Sequence, residues 1–130
     1  MNNEQCTKEL ISEAIKLVNE AGTEVLLSGK DGVAIPIDLA PLAGILLKLW
    51  DTDFFLEPTN EHHAEILATL ENGVLLASGN KDGITTKQLR TFKDALKDLA
   101  KPHLTKTQAN KHRARFIKEE FGPLGFVDNK

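Results

Sequence analysis

Apolar residues recur at helical intervals along most of the chain. Between Thr7 and Ala21, the residues Leu10, Ile11, Ala14, Ile15, Leu17, Val18 and Ala21 approximate i, i+3, i+4, i+7 spacing. That spacing predicts an amphipathic helix with Glu9, Glu13 and Glu20 facing water. Leu39 to Trp50 predicts a second helix, capped by Asp38 and tolerating Pro41 in its first turn, where backbone N–H groups have no intrahelical partner. It is apolar nearly all round, which predicts a central position. A third helix starts at Thr59 or Asn60, just after Pro58, and carries Ile66, Leu67 and Leu70 on one face.

Two helix starts are written in contiguous letters. Thr85-Thr86-Lys87-Gln88 is a capping box, in which the Thr and Gln side chains each satisfy an orphan backbone N–H of the first turn. Leu89, Phe92, Leu96 and Leu99 follow as a buried stripe, and Pro102 ends that helix. Thr105-Lys106-Thr107-Gln108 repeats the box and opens a fifth helix, which runs to Gly122-Pro123.

An internal echo organises the first hundred residues. Val25-Leu26-Leu27-Ser28-Gly29-Lys30-Asp31-Gly32 reappears as Val74-Leu75-Leu76-Ala77-Ser78-Gly79-Asn80-Lys81-Asp82-Gly83. The unit reads helix, Lys-Asp-Gly loop, helix, with copies at about residues 7–51 and 59–101 and the basic helix at about 105–121 beyond them. The Val-Leu-Leu segments fit two structures. They extend the preceding helices, with Ile66, Leu70, Val74 and Ala77 keeping one face through Gly73 at a cost of about 1 kcal/mol for the interior glycine. Alternatively Gly22 and Gly73 end helices, and Val33, Ile35 and Ile37 alternate in a hairpin with Val25 to Leu27. The preferred reading is mainly α, a single-domain bundle of about five helices with a short β-hairpin near 25–37. The alternative is α+β with two hairpins.

The length of 130 residues suits one domain, and 41% hydrophobic with 27% charged residues is an ordinary globular composition. The single cysteine, Cys6, has no internal disulfide partner, and Met1 is followed by polar Asn2, Asn3, Glu4 and Gln5, so a reducing, cytoplasmic compartment is expected. The longest apolar stretch, Leu39 to Trp50, is interrupted by Lys48 and falls short of the roughly 20 residues that cross a bilayer, so no membrane partner is expected.

Charge is divided along the chain. Residues 1–86 carry fourteen carboxylates against five bases, whereas residues 87–130 carry eleven bases against five carboxylates. The net charge of −3 conceals balances of −9 and +6. Such asymmetry steers anionic partners to one end, or brings copies of the chain together head to tail as a homo-oligomer.

Chemical candidates are few. Asn80-Lys81-Asp82-Gly83-Ile84-Thr85 resembles the end of an EF-hand loop, but Leu89 stands where the bidentate Glu belongs. Tandem Asp-Gly loops between helices, with Asp38 seven positions after Asp31, resemble the tellurite-resistance TerB-like family. That resemblance implies an all-helical domain and a metal site at Asp31, Asp38 and Asp82; the position seven after Asp82 is Leu89. Residues 7–49, from Asn19-Glu20-Ala21-Gly22-Thr23-Glu24-Val25 through Val33-Ala34-Ile35-Pro36-Ile37, resemble Phd/YefM antitoxins, which implies a DNA-binding repressor. Glu61-His62-His63-Ala64-Glu65 offers imidazoles and carboxylates to a transition metal, although adjacent histidines point to different sides of a helix. Cys6, with no histidine nearby in sequence, reads as an incidental thiol.

The basic segment is the best functional hint. Lys101, Lys106, Lys111, Arg113, Arg115 and Lys118, with His103 and His112, precede the first acid at Glu119. Lys111, Arg115 and Lys118 follow i, i+4, i+7 spacing, a stripe that can track phosphates. Lys106, Lys111, Arg113, Arg115 and Lys118 are therefore the candidate residues for nucleic acid or an acidic partner. No catalytic motif emerges and no cofactor is expected. The chain is read as a non-enzymatic protein-interaction or regulatory module, with a nucleic-acid-binding regulator and a metal-binding TerB-like protein as alternatives.

Overall fold

Helix caps and apolar stripes divide the described residues into five α-helices. In the computed structural model, which describes residues 3–27, 36–79 and 83–119, these are α1 (Asn3–Leu27), α2 (Ala40–Asp51), α3 (Glu61–Ser78), α4 (Thr86–Leu99) and α5 (Lys106–Lys118). Two single-turn 3-10 helices, Phe54–Leu56 and Pro58–Asn60, join α2 to α3. Among the described residues there is no strand, so the mainly α expectation holds and the two-hairpin alternative does not.

The Val-Leu-Leu question resolves in favour of helix in both places. Val25–Leu27 closes α1 and Val74–Leu76 lies inside α3. Neither can supply one arm of a hairpin; residues 28–35, the rest of the hairpin proposed near 25–37, lie outside the described residues. Tertiary packing overrides the local cost of Gly22 and Gly73. Ile11, Ala14, Val18 and Ala21 of α1 are buried, as are Ile66, Leu70, Val74 and Ala77 of α3. Both capping boxes form as expected: Gln88 and Gln108 each accept the backbone N–H of Thr85 and Thr105 at 2.9 and 2.8 Å, and the threonine hydroxyls accept in return. Gly83, with φ of 95°, supplies the left-handed turn leading into Thr85.

Local expectations for the second helix are corrected. The second helix is not central: Leu42, Ile45, Leu46 and Leu49 are buried, but Leu47 is 61% exposed and Lys48 is exposed as well. An almost wholly apolar sequence therefore buries only one stripe. Asn60 does not cap α3 through its side chain; its amide donates to the Phe54 carbonyl at 2.8 Å, closing the turn after Asp53, which sits at a left-handed φ of 64°. α2 begins one residue later than expected, so Leu39 and not Asp38 holds the N-cap position; the Asp38 carboxylate, one residue before it, still accepts the Ala40 N–H at 3.0 Å.

The helices pack with α1 against both α2 and α4, and α3 against α2, α4 and α5. α1 and α4 run antiparallel. Thr7, Lys8 and Ile11 border one cleft with Leu99, Ala100 and Lys101, whereas Asn19, Gly22 and Thr23 border another with Thr86, Leu89 and Arg90. Phe92, Leu96 and Leu99 of α4 and Ala109 and Phe116 of α5 complete the core. The α1–α2 corner is tied by the Thr7 hydroxyl donating to the Thr52 hydroxyl at 3.0 Å, and Trp50 of α2 donates its indole N–H to Glu71 of α3.

Candidate functional site

The helical period that sends Leu89, Phe92, Leu96 and Leu99 inward turns Lys87, Arg90 and Lys97 of α4 outward. On α5, Ala109, His112 and Phe116 face the core and Lys106, Lys111 and Lys118 are exposed. The two helices flank a groove of about 300 Å³ whose charged lining is Lys97, Lys101, Lys111 and Arg115 against Asp94 and Asp98, with His112 at its side. Four cations face two carboxylates there, so the groove attracts anions.

Its carboxylates are already engaged. The Arg115 guanidinium donates to Asp94 at 2.5 Å. Asp98 receives the Lys101 ammonium at 2.9 Å on one oxygen and His112 Nε2 at 2.5 Å on the other. A carboxylate only accepts, so His112 carries a proton on Nε2; its Nδ1 is buried without a hydrogen-bond partner among the described residues. Burial acts to raise the Asp98 carboxyl, but the hydrogen bonds and charges of His112 and Lys101 outweigh it and hold Asp98 below its ordinary range.

On the far side of α5, Arg113 donates to Glu65 of α3 at 3.0 Å. The hydrogen bond from His62, at 2.6 Å, does most to lower the Glu65 carboxyl; burial opposes it, and the Arg113 hydrogen bond and charge add to the lowering. His62 and His63 point to different sides, as adjacent helical residues must: His63 is buried and donates from Nε2 to the Lys101 carbonyl at 2.8 Å. The start of α3 is thereby fastened to the turn between α4 and α5.

The five residues singled out from sequence therefore divide between two surfaces. Lys111, Arg115 and Lys118 lie on the side of α5 that faces the α4 groove, while Arg113 reaches α3, and Lys106, two turns before it, shares its side. Lys106, Lys111 and Lys118 make no ion pair among the described residues, whereas both arginines are committed to carboxylates. Sequence reasoning missed the contribution of α4: Lys87, Arg90 and Lys97 form an outward basic row, and Lys93 lies half-buried beside α1. Their signal was the charge balance beginning at residue 87.

Of the residues considered for metal, Asp38 is exposed and accepts the Ala40 N–H at the start of α2, and Asp31 and Asp82 lie outside the described residues. Among the described residues no three His, Cys, Asp or Glu side chains gather into a metal-holding group, and no helix is long and apolar enough to cross a membrane. No protein-family model, curated protein or solved structure matches this chain.

Proposed function

We propose that the chain is a non-enzymatic interaction module whose α4–α5 groove takes an acidic segment of a protein partner. One observation carries this reading: Lys97, Lys101 and Lys111 border a groove next to exposed Lys118, while the two arginines of α5, the cations there most suited to phosphate, are occupied. Arginine grips phosphate through a bidentate fork. Arg113 and Arg115 direct theirs to Glu65 and Asp94. The remaining lysines are point charges interleaved with two carboxylates, a pattern suited to spaced acidic side chains rather than to a continuous phosphate backbone.

A nucleic-acid regulator is the second reading, favoured by the continuation of the basic surface onto Lys87 and Arg90 of α4. Fluorescence anisotropy with a labelled acidic peptide, and with DNA and RNA of matched charge, separates the two. Salt-sensitive binding of the peptide that is lost on changing Lys111 and Lys118 to Ala supports the acidic-partner reading. Tighter binding of DNA or RNA, weakening steeply with salt, selects the second. No binding of any of them at low salt would sink both.

A further inference from the structure

We infer that two copies of the chain associate through the α1–α4 face, about a two-fold axis parallel to the helices that lays α1 of each copy against α4 of the other. This inference goes beyond the acidic-partner reading: it shares Lys97 and Lys101 with that groove, so dimer and acidic segment compete for them, but Lys106, Lys111 and Lys118 of α5 take no part and test the groove separately.

The outward stripe of α1 comprises Glu9, Glu13, Lys16, Glu20 and Glu24, all exposed. The outward stripe of α4 and the residues just after it comprises Lys87, Arg90, Asp94, Lys97 and Lys101, all exposed except the half-buried Asp94. At a rise of about 1.5 Å per residue the two stripes are about 22 and about 21 Å long. Their antiparallel packing within one chain sets Ile11 about level with Leu99 and Gly22 about level with Leu89.

A two-fold axis running along the helices between α1 and α4 preserves height and exchanges sides. Glu9 of one copy then stands opposite Lys101 of the other, Glu13 opposite Lys97, Lys16 opposite Asp94, Glu20 opposite Arg90, and Glu24 opposite Lys87. Opposite charges meet at every level, including the one where both stripes invert their sign. Symmetry repeats the set on the other side of the axis, giving a closed, isologous contact. Toward the axis lie Ser12, Asn19 and Thr23, which carry no charge, together with exposed Lys8 and half-buried Lys93 at the α1–α4 clefts. A two-fold axis across the helices would instead set α1 on α1, glutamate against glutamate, and is rejected by the same charges.

The Lys16 level contributes least, since Arg115 already neutralises Asp94. Lys101 also shares its charge with Asp98. Glu13, Glu20, Arg90 and Lys97 have no ion partner among the described residues, so the contact rests chiefly on them. Exposed ion pairs are individually weak and are screened by salt. A contact built from them is therefore selective in orientation and sharply salt-dependent.

Sedimentation equilibrium of the full chain at about 10 mM and about 1 M salt, where the Debye length is about 30 and about 3 Å, reads this directly. A dimer at low salt that dissociates at high salt is expected. Glu13→Lys with Glu20→Lys in one variant, and Arg90→Glu with Lys97→Glu in another, should each remain helical and self-associate at least tenfold more weakly. Mixed in equal amounts, the two variants restore opposite charges at every level and should form a one-to-one heterodimer. A monomeric wild type at low salt, variants that dimerise like the wild type, or a mixture that does not associate would each overturn the inference. Changing Lys111 and Lys118 to Ala leaves the dimer intact, so loss of acidic-peptide binding in that variant is read separately.

Discussion

The Phe116 ring of α5 occupies the space beside Gly73 of α3 where a side chain would otherwise begin: a Cβ on Gly73 would stand 2.7 Å from Phe116 Cε2 and 3.0 Å from Phe92 Cε1. Phe92 and Phe116 are both fully buried, their ring centroids 5.8 Å apart, so neither ring has room to retreat. The glycine is what lets the last helix close against the third.

Gly73→Ala should accordingly destabilise the fold. Helix propensity alone would favour alanine by about 1 kcal/mol, but overpacking a filled core costs about 1–3 kcal/mol, and here the clash is with buried aromatic rings. Gly22→Ala, in α1, meets nothing within 4 Å and should stabilise by about 0.5–1 kcal/mol. Urea denaturation of the two variants should give midpoint shifts of opposite sign, and Phe116→Leu should recover part of the Gly73→Ala loss. Equal shifts would mean that α5 does not pack as described.

The two capping boxes look alike in sequence but should respond differently to mutation. Gln88 is buried and also donates from its amide to the Glu119 carbonyl at 2.9 Å, fastening the start of α4 to the end of α5. Gln108 is half-buried and serves its own box. Thr85→Ala and Thr105→Ala should each cost about 1 kcal/mol. Gln88→Ala should cost about 1 kcal/mol more than Gln108→Ala, because it also strands a carbonyl that loses its donor. Thermal melts followed by circular dichroism would show the difference.

Acid should weaken the fold through Asp98 and Glu65. Both carboxyls titrate below their ordinary values of 3.8 and 4.5 in the folded chain, so the unfolded chain binds their protons first. The stability they contribute is present in full above about pH 5 and is lost as pH falls below their ordinary values and through the folded ones. Asp98→Asn should destabilise at neutral pH, and its deficit relative to wild type should shrink as pH is lowered through that window. A deficit independent of pH would show that the His112 and Lys101 contacts do not depend on the charge of Asp98.

Much of this was legible in the letters, for local reasons. A capping box is written within four residues, and the inward stripe of α4 follows from spacing alone. The path of α1 through Gly22 to Leu27 was not legible, because Gly and Val disfavour helix locally and the compensation comes from burial of Val18 and Ala21 against other elements. α2 misled in the opposite sense, since nothing in Leu39 to Trp50 says which leucine stays outside. The site divides along the same line. Lysine spacing on α5 placed Lys111, Arg115 and Lys118 on one side, but the capture of Arg115 by Asp94 and of Arg113 by Glu65 links residues 21 and 48 positions apart. Only the folded chain brings them together.

The fastening of the α4–α5 turn by His63 bears on how the chain resists digestion. Lys101 is exposed and is followed by a short irregular connection, features that ordinarily invite a protease. Its carbonyl is held by a buried imidazole and its ammonium by Asp98, so drawing the segment out into an extended strand breaks both contacts. Cleavage there should therefore track local opening of the α4–α5 turn from the start of α3 as well as surface access.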